Sequence, residues 1–121
     1  MIKKILIVDD EPNIVRLLGD RLTYNNYEVL KAYNGIECLS LAKSNPPDLI
    51  LLDIQMPRCD GISTFSRLFL DERTRDIPVV FMTSYARDYS KTHLLNLGAK
   101  DFISKPINCD ELRTSINTIL N

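Results

Sequence analysis

The 121-residue sequence lacks the glycine-rich motifs with which many proteins bind nucleotide phosphates. It contains four glycines, and neither G-x-G-x-x-G nor G-x-x-x-x-G-K-[ST] occurs in it. Such motifs bring backbone N–H groups close to a phosphate because glycine has no side chain in the way. The sequence therefore argues against a nucleotide or flavin site.

Cysteine and histidine are also scarce. The three cysteines, Cys38, Cys59 and Cys109, form no C-x-x-C pair, and His93 is the single histidine. We therefore expect neither a disulfide framework nor a zinc site. Reduced thiols that are packed or idle are the favoured interpretation. The alternative is a redox role for Cys109, since a position near a helix start lowers the pKa of a thiol.

The sequence has no basic cluster and no long hydrophobic run. Its 15 Lys and Arg residues nearly balance 16 Asp and Glu residues, and the longest basic run is Lys3-Lys4. No apolar stretch approaches the roughly 20 residues of a membrane helix. Residues 1–9 are too short and too strand-like for a signal peptide. We expect a soluble cytoplasmic protein that contacts neither nucleic acid nor membrane directly.

Five strand-like runs alternate with five helical patterns along the chain. The strands are predicted over Lys4–Asp9, Tyr27–Ala32, Leu49–Asp53, Ile77–Met82 and Asp101–Ser104. The helices are predicted over Pro12–Asn25, Ile36–Ser44, Ser63–Leu70, Arg87–Leu97 and Asp110–Leu120. Apolar residues at a spacing of 3.6 indicate helices with one buried face, and nearly continuous apolar runs indicate strands buried on both faces.

The residues at the predicted helix ends agree with this alternation. Asn34 and Asn108 each stand three residues before a glutamate, which is the spacing of a capping box. Pro12 fits the first turn of a helix, and Gly98 is typical of a left-handed helix end. Five successive β-α units with right-handed crossings predict one α/β domain with an open, doubly wound sheet.

Acidic residues follow two of the predicted strands. Asp9 and Asp10 come directly after the apolar run of strand 1, and Asp53 closes strand 3. In doubly wound sheets, ligands bind beyond the carboxyl ends of the strands, where the strand order reverses. If these strands are neighbours, each pair of carboxylates at roughly 4 Å repels by about 4 kcal/mol at an intermediate dielectric. Such a site needs a cation.

Four segments at strand ends together resemble the receiver domain of two-component response regulators. They are Val8–Asn13, Leu52–Pro57 with Asp60-Gly61, Met82–Ser84, and Lys105-Pro106. The resemblance spans the chain from strand 1 to helix 5. It implies a flavodoxin-like, five-stranded parallel sheet of order 2-1-3-4-5 with helices on both faces, in which strands 1 and 3 flank the reversal point.

The resemblance implies a role for each acidic residue. Asp53 would be the phosphoacceptor, because a carboxylate can attack a phosphoryl group to give an acyl phosphate. Asp10 would bind Mg²⁺ or Mn²⁺ directly, and Asp9 would act largely through water. Asp53 and the backbone carbonyl of Gln55 would supply the remaining protein oxygens. From the residues alone, Asp53 could instead merely end its strand, and Asp9-Asp10-Glu11 could instead favour the dipole of helix 1.

The same resemblance assigns roles on strands 4 and 5. Lys105 would pair with a phosphoryl oxygen, or with Asp53 when no phosphate is present, and its bond to Pro106 would be cis. Thr83 would donate its hydroxyl to the phosphoryl group. Phe102 would then turn inward and change the face of helix 4, strand 5 and helix 5. A solvated lysine, a core threonine and a static core ring are the alternative interpretations.

We therefore predict a signalling domain rather than an enzyme. It would accept phosphate from a histidine kinase or a histidine phosphotransfer protein, and it would promote its own phosphorylation and dephosphorylation. A haloacid-dehalogenase-like phosphatase is one alternative, although that class places D-x-D after its first strand. A receiver-like scaffold that binds partners without phosphorylation is another. Ser84 departs from the family pattern, which usually has a smaller residue at that place.

The expected unit is one receiver domain over residues 1–121. It would stand alone or form the N-terminal part of a longer response regulator, with an effector domain beyond Asn121. The kinase would dock around helix 1. A homodimer through the face of helix 4, strand 5 and helix 5 is a further alternative.

Overall fold

The structure is a computed structural model that describes residues 2–57, 59–84 and 90–121. In this part of the chain, five strands alternate with five helices. The strands are β1 (Lys4–Val8), β2 (Glu28–Ala32), β3 (Leu49–Asp53), β4 (Val79–Thr83) and β5 (Asp101–Ser104). The helices are α1 (Pro12–Tyr24), α2 (Gly35–Ser44), α3 (Gly61–Leu70), α4 (Lys91–Asn96) and α5 (Cys109–Leu120).

The strands form one parallel sheet in the order β2-β1-β3-β4-β5. This confirms the predicted doubly wound α/β fold. The strand order reverses between β1 and β3, which are hydrogen-bonded neighbours. Their register pairs Val8 with Leu52, so Asp9 and Asp53 follow at the same edge of the sheet.

Helices cover both faces of the sheet because alternate strand residues face opposite sides. On one face, strand residues such as Leu6, Ile50 and Phe81 pack against α2, α3 and α4. On the other face, strand residues such as Ile5 and Leu51 pack against α1 and α5. The residues of β1, β3 and β4 that form these two layers are fully or almost fully buried. A sheet packed on both faces holds its carboxyl edge in a fixed position.

The predicted asparagine N-caps are confirmed. The Asn34 side chain accepts the N–H of Glu37 at 2.8 Å. The Asn108 side chain accepts the N–H groups of two residues in the first turn of α5, at 2.9 and 3.0 Å. Gly98 has a φ of 118°, the left-handed conformation predicted for it. Within the described residues, no helix is long and apolar enough to cross a membrane.

Most element boundaries lie within one residue of their predicted positions, and α3 is an exception. It begins at Gly61, two residues before the predicted start at Ser63. The reason is that the carboxylate of Asp60 accepts the N–H of Ser63 at 2.8 Å and thereby caps the helix. From the sequence, Asp60 was expected only as part of the receiver-domain pattern and not as a helix cap.

β4 also differs from its prediction, since it begins at Val79 rather than Ile77 and continues to Thr83. The N–H of Ile77 donates to the carbonyl of Thr74 in the preceding turn, at 3.1 Å, and so belongs to that turn. The start of helix 4 predicted at Arg87 lies outside the described residues. The described helix begins at Lys91, after a cap in which Ser90 accepts a backbone N–H.

Candidate functional site

Three aspartates meet at the carboxyl ends of β1 and β3. Carboxylate oxygens of Asp9, Asp10 and Asp53 lie within 4.8 Å of one another. Asp9 and Asp53 are buried, and Asp10 is exposed. The sheet brings them together because β1 and β3 are neighbours that end in register. The arrangement concentrates negative charge at the place where doubly wound sheets bind ligands.

Asp9 has a partner for each carboxylate oxygen. Its Oδ1 accepts the N–H of Glu11 at 3.0 Å. Its Oδ2 lies 2.6 Å from the Nζ of Lys105. Asp9 is therefore held in one orientation from both sides, whereas Asp10 faces the solvent.

Lys105 lies between the carboxylates of Asp9 and Asp53. Its Nζ is 2.6 Å from Asp9 and 3.4 Å from Asp53, and its side chain is 8% exposed. The sequence interpretation paired Lys105 with Asp53; the structure has that contact and a shorter one to Asp9. Burial by itself would lower the pKa of Lys105, but the two carboxylates raise it above its ordinary value. The ammonium group therefore stays charged and offsets part of the local negative charge.

The pKa of Asp53 is raised to about 7. Burial is the main cause, and the negative charge of Asp9 is the next. Lys105 acts in the opposite direction and does not fully compensate. A divalent cation beside the carboxylate would favour its ionised form.

Thr83, at the end of β4, contacts the connection that follows β3. It is fully buried, and its hydroxyl donates to the side-chain Oε1 of Gln55 at 2.6 Å. The register pairs Asp53 with Met82, so Thr83 lies one residue beyond the strand neighbour of Asp53. From the sequence, only the backbone carbonyl of Gln55 was expected to contribute to the site. A lone glutamine after a strand gave no signal of this side-chain contact.

The remaining predicted residues lie on or just after β5. Phe102 is half-buried, pairs in register with Phe81 and packs against the same apolar layer. The N–H of Lys105 donates to the carbonyl of Thr83 at 2.7 Å, which ties the ends of β4 and β5 together. The Lys105–Pro106 peptide bond is cis. The structure thus places Thr83 and Lys105 at the sheet edge that holds the aspartates. Phe102 lies within β5, two residues before the end of that strand.

The cysteines lie outside this cluster. Burial, followed by the nearby Cys59, raises the pKa of Cys38 to about 12, so its thiol stays protonated at neutral pH. The Sγ of Cys59 is 3.3 Å from the Thr64 hydroxyl. Cys109 is half-buried at the start of α5. These positions agree with the expectation of free, packed thiols.

Comparison with protein families gives one match over nearly the whole chain. The model of the response regulator receiver domain matches residues 5–117. That range includes all five strands except the first residue of β1, together with each of the aspartates, Thr83 and Lys105. It favours the predicted signalling domain over the phosphatase and nucleotide-binding alternatives.

Two curated relatives differ in how much of them the chain covers. The DNA-binding dual master transcriptional regulator RpaA of Synechocystis sp. is 38% identical over 117 residues, which are 97% of this chain and 48% of RpaA. Protein PilH of Pseudomonas aeruginosa is 36% identical over 117 residues, which are 97% of each chain. The chain thus spans about half the length of RpaA and of several other relatives, and nearly all of PilH.

A solved structure of a response regulator is similar to this chain over nearly its whole length. The structure of a putative response regulator from Chloroflexus aurantiacus superposes with a TM-score of 0.91 at 29% identity. The superposition covers 99% of this chain and 98% of the other. The likeness therefore includes the sheet order and the edge on which the aspartates lie.

Proposed function

Since this chain belongs to the response regulator receiver domain family of two-component systems, we propose that it accepts a phosphoryl group on Asp53 from a histidine kinase or a histidine phosphotransfer protein. The supporting observation is the cluster of Asp9, Asp10 and Asp53 with Lys105 beside it, at the ends of the parallel strands. The domain is a signalling domain, and its chemistry is limited to gaining and losing its own phosphoryl group.

The transfer is a substitution at phosphorus. A carboxylate oxygen of Asp53 forms a new O–P bond while the N–P bond of the donor phosphohistidine breaks, and the leaving imidazole takes up a proton. The product is an acyl phosphate. Attack by water on the phosphorus later releases inorganic phosphate and restores the carboxylate. Both steps need charge stabilisation on the phosphoryl oxygens.

The acidic cluster fits Mg²⁺, with Mn²⁺ as the alternative ion. Mg²⁺ prefers oxygen ligands and keeps several waters, and the three carboxylates within 4.8 Å supply oxygens of that kind. Asp10 is exposed and would bind directly. Asp9 already has a partner on each oxygen and would act through water. Asp53 and the backbone carbonyl of Gln55 would complete the protein ligands; when bound, the ion would offset charge on the transferring phosphoryl group.

Lys105 and Thr83 would contact the attached phosphoryl group. The Nζ of Lys105 is 3.4 Å from the Asp53 carboxylate and so lies within reach of a group bonded to it. A charge-assisted hydrogen bond of this kind contributes roughly 1.5–3 kcal/mol. Thr83 is one residue beyond the strand neighbour of Asp53 and would donate its hydroxyl.

Phosphorylation of Asp53 would change the conformation of the face formed by α4, β5 and α5. Phe102 on β5 would turn inward as Thr83 moves toward the phosphoryl group. Asp101 joins the three elements: it lies 3.2 Å from the Nζ of Lys91 and accepts the Ser115 hydroxyl at 2.6 Å. A full reversal of a two-state balance from 1:99 to 99:1 requires about 5.5 kcal/mol. Several hydrogen bonds to one phosphoryl group would together supply a free energy of this order.

The kinase or phosphotransfer partner would dock on α1 and on the start of the connection to α5. A mostly apolar groove there is lined by residues that include Ile14, Leu17, Tyr24, Ile107 and Lys105. Leu17 is 61% exposed and Tyr24 is 79% exposed. An exposed apolar groove of this kind suits the apolar face of a partner helix.

We propose that residues 1–121 form one receiver domain that works in the cytoplasm without direct contact with nucleic acid or membrane. The match to nearly the whole of PilH supports a stand-alone regulator. The match to half of RpaA supports a receiver followed by an effector domain beyond Asn121. A homodimer through the face of α4, β5 and α5 would be compatible with either form.

The test is incubation with Mg²⁺ and a small acyl phosphate, followed by intact mass spectrometry. We expect the chain to gain one phosphoryl group, Asp53→Asn to gain none, and a chelator to prevent the gain. Asp60→Asn is a suitable control, because Asp60 caps α3 and lies outside the acidic cluster. Equal labelling of Asp53→Asn and the unchanged chain would exclude Asp53 as the acceptor.

A further inference from the structure

We infer that the side chain of Gln55 is a positioning residue that holds the Thr83 hydroxyl until a phosphoryl group on Asp53 displaces it, an inference that rests on the proposed function. Thr83 and Gln55 are 28 residues apart in sequence and belong to different strand ends. Their contact therefore joins the end of β4 to the connection that follows Asp53.

The hydrogen bond between them is short and sheltered. The Thr83 Oγ1 lies 2.6 Å from the Gln55 Oε1, near the short end of the range for O–H···O hydrogen bonds. Thr83 is fully buried and Gln55 is half-buried. A bond in these surroundings is less exposed to competition from water than one on the open surface.

A hydroxyl group has one hydrogen to donate. While the Thr83 hydroxyl donates to Gln55, it cannot donate to a phosphoryl oxygen. Formation of the Thr83–phosphoryl hydrogen bond therefore requires loss of the Thr83–Gln55 hydrogen bond. The side chain of Gln55 stabilises the state without phosphate and raises the free energy of the switched state by comparison.

The magnitude follows from the net strength of a hydrogen bond. Loss of the acceptor on Gln55 should favour the state in which Thr83 contacts the phosphoryl group by roughly threefold to tenfold. This effect belongs to the side chain, whereas the proposed contact with the metal belongs to the backbone carbonyl of the same residue. The two roles can therefore be separated by a side-chain substitution studied at saturating Mg²⁺.

The experiment measures the binding of beryllofluoride, a phosphoryl mimic that needs no transfer step, at saturating Mg²⁺. Gln55→Met is the main variant, because methionine is of similar length and lacks the amide oxygen. It is made in three backgrounds: the unchanged chain, Thr83→Ser, which keeps the hydroxyl, and Thr83→Val, which removes it. Gln55→Ala repeats the series with a smaller side chain, and circular dichroism checks that each variant is folded.

We expect Gln55→Met to lower the apparent dissociation constant of beryllofluoride roughly threefold to tenfold in the unchanged chain and in Thr83→Ser. In Thr83→Val the same substitution should have no effect, because there is no hydroxyl to release. NMR signals of the face formed by α4, β5 and α5 should shift in proportion to the bound fraction.

Three results would overturn the inference. They are equal effects of Gln55→Met with and without the Thr83 hydroxyl, no effect in any background, and weaker binding, which would make the amide itself a phosphoryl ligand. If the unchanged chain takes up neither beryllofluoride nor phosphate from an acyl phosphate, the proposed function fails and the inference fails with it. Uptake without coupling between the two residues overturns the inference alone.

Discussion

At the scale of single residues, the site is governed by charge that is buried at the end of a sheet. Asp9 and Asp53 are both removed from solvent, and the ammonium of Lys105 lies between them. One positive charge does not balance two buried carboxylates and the exposed Asp10 beside them. Burial of the Asp53 carboxylate, with the residual repulsion from Asp9 and Asp10 added to it, raises the pKa of Asp53 to about 7.

The raised pKa of Asp53 makes stability depend on pH. Its folded-state pKa of about 7 is above the ordinary value of 3.8, so the native state binds the proton more tightly than the unfolded chain does. The free energy of unfolding should therefore fall as pH rises through this interval. Asp53→Asn removes the ionisation and should be more stable than the unchanged chain by on the order of 2 kcal/mol near pH 8 without divalent cations.

Urea unfolding of both proteins between about pH 4 and pH 8, in the presence of a chelator, measures this difference. It should nearly vanish at the acidic end of the range. Asp20→Asn, at an exposed position on α1, serves as the control for a surface aspartate. A stability difference that is independent of pH would contradict the assignment of the effect to the Asp53 carboxylate.

Removal of Lys105 should have the opposite effect. Lys105→Ala leaves Asp9 and Asp53 without their shared positive partner, and loss of one member of a buried ion pair costs about 3 kcal/mol or more. We expect the free energy of unfolding to fall by about that amount at neutral pH without Mg²⁺, and added Mg²⁺ to restore part of it. Chemical unfolding with and without Mg²⁺ measures both effects.

Lys91→Ala is the matched control for this substitution. Lys91 also pairs with an aspartate, Asp101, but its side chain is 60% exposed. Exposed ion pairs contribute roughly 0–1 kcal/mol. Equal losses of stability in the two variants would show that burial does not make the Lys105 ion pairs more stabilising than the exposed ion pair of Lys91.

At the scale of secondary-structure elements, the first residue of α3 lies very close to the end of β3. Gly61, the first residue of α3, donates its N–H to the carbonyl of Ile54 at 2.8 Å. A Cβ on Gly61 would clash with the backbone carbonyl of Asp53 and lie 2.8 Å from the Cα of Ile54. Helix α3 can thus approach the strand that carries Asp53 only because residue 61 has no side chain.

Gly61→Ala should therefore lower the free energy of unfolding by about 3 kcal/mol, since the clashing atoms belong to backbone that cannot move freely. It should also weaken Mg²⁺ binding, because the clash is with the backbone that carries Asp53. Gly19→Ala is the control: its Cβ would meet the flexible end of Lys31 at 3.1 Å. Alanine at that helical position should change stability by about 1 kcal/mol or less. Similar stability of the two variants, measured by urea unfolding, would contradict the close approach at Gly61.

At the scale of the whole molecule, the parallel sheet turns distant residues into one site. The backbone pairing of β1 with β3 and of β3 with β4 is what brings the acidic residues and Thr83 to one edge. Both faces of this sheet are packed against helices. A ligand that binds at the edge should therefore stabilise the fold as a unit.

Mg²⁺ provides a direct measurement of this linkage. At a Mg²⁺ concentration ten times its dissociation constant, the free energy of unfolding should rise by about 1.4 kcal/mol. Asp10→Asn should lose this gain while remaining folded, since Asp10 is exposed. Thermal unfolding of both proteins at increasing Mg²⁺ concentration measures this gain in stability. The same rise in both would show that the ion stabilises the chain elsewhere.

The sequence by itself determined the alternation of strands and helices and the positions of acidic residues at two strand ends. The alternation of apolar runs with amphipathic stretches reflects burial of strands and helices, which is a local property and can be read from spacing. The acidic residues at the ends of strands 1 and 3 are likewise visible as positions along the chain. The strand order itself came from the resemblance of four short segments, and the structure confirms it.

Only the tertiary structure decided which side chains contact one another. The shortest contact of Lys105 is to Asp9, 96 residues away, and Thr83 donates to Gln55. Such contacts depend on side-chain rotamers and on distances across the sheet edge, to within a fraction of an ångström, and sequence spacing does not encode either. The close approach of Gly61 to the backbone of Asp53 also required the structure, whereas the start of α3 had a local signal in Asp60, a typical N-cap residue.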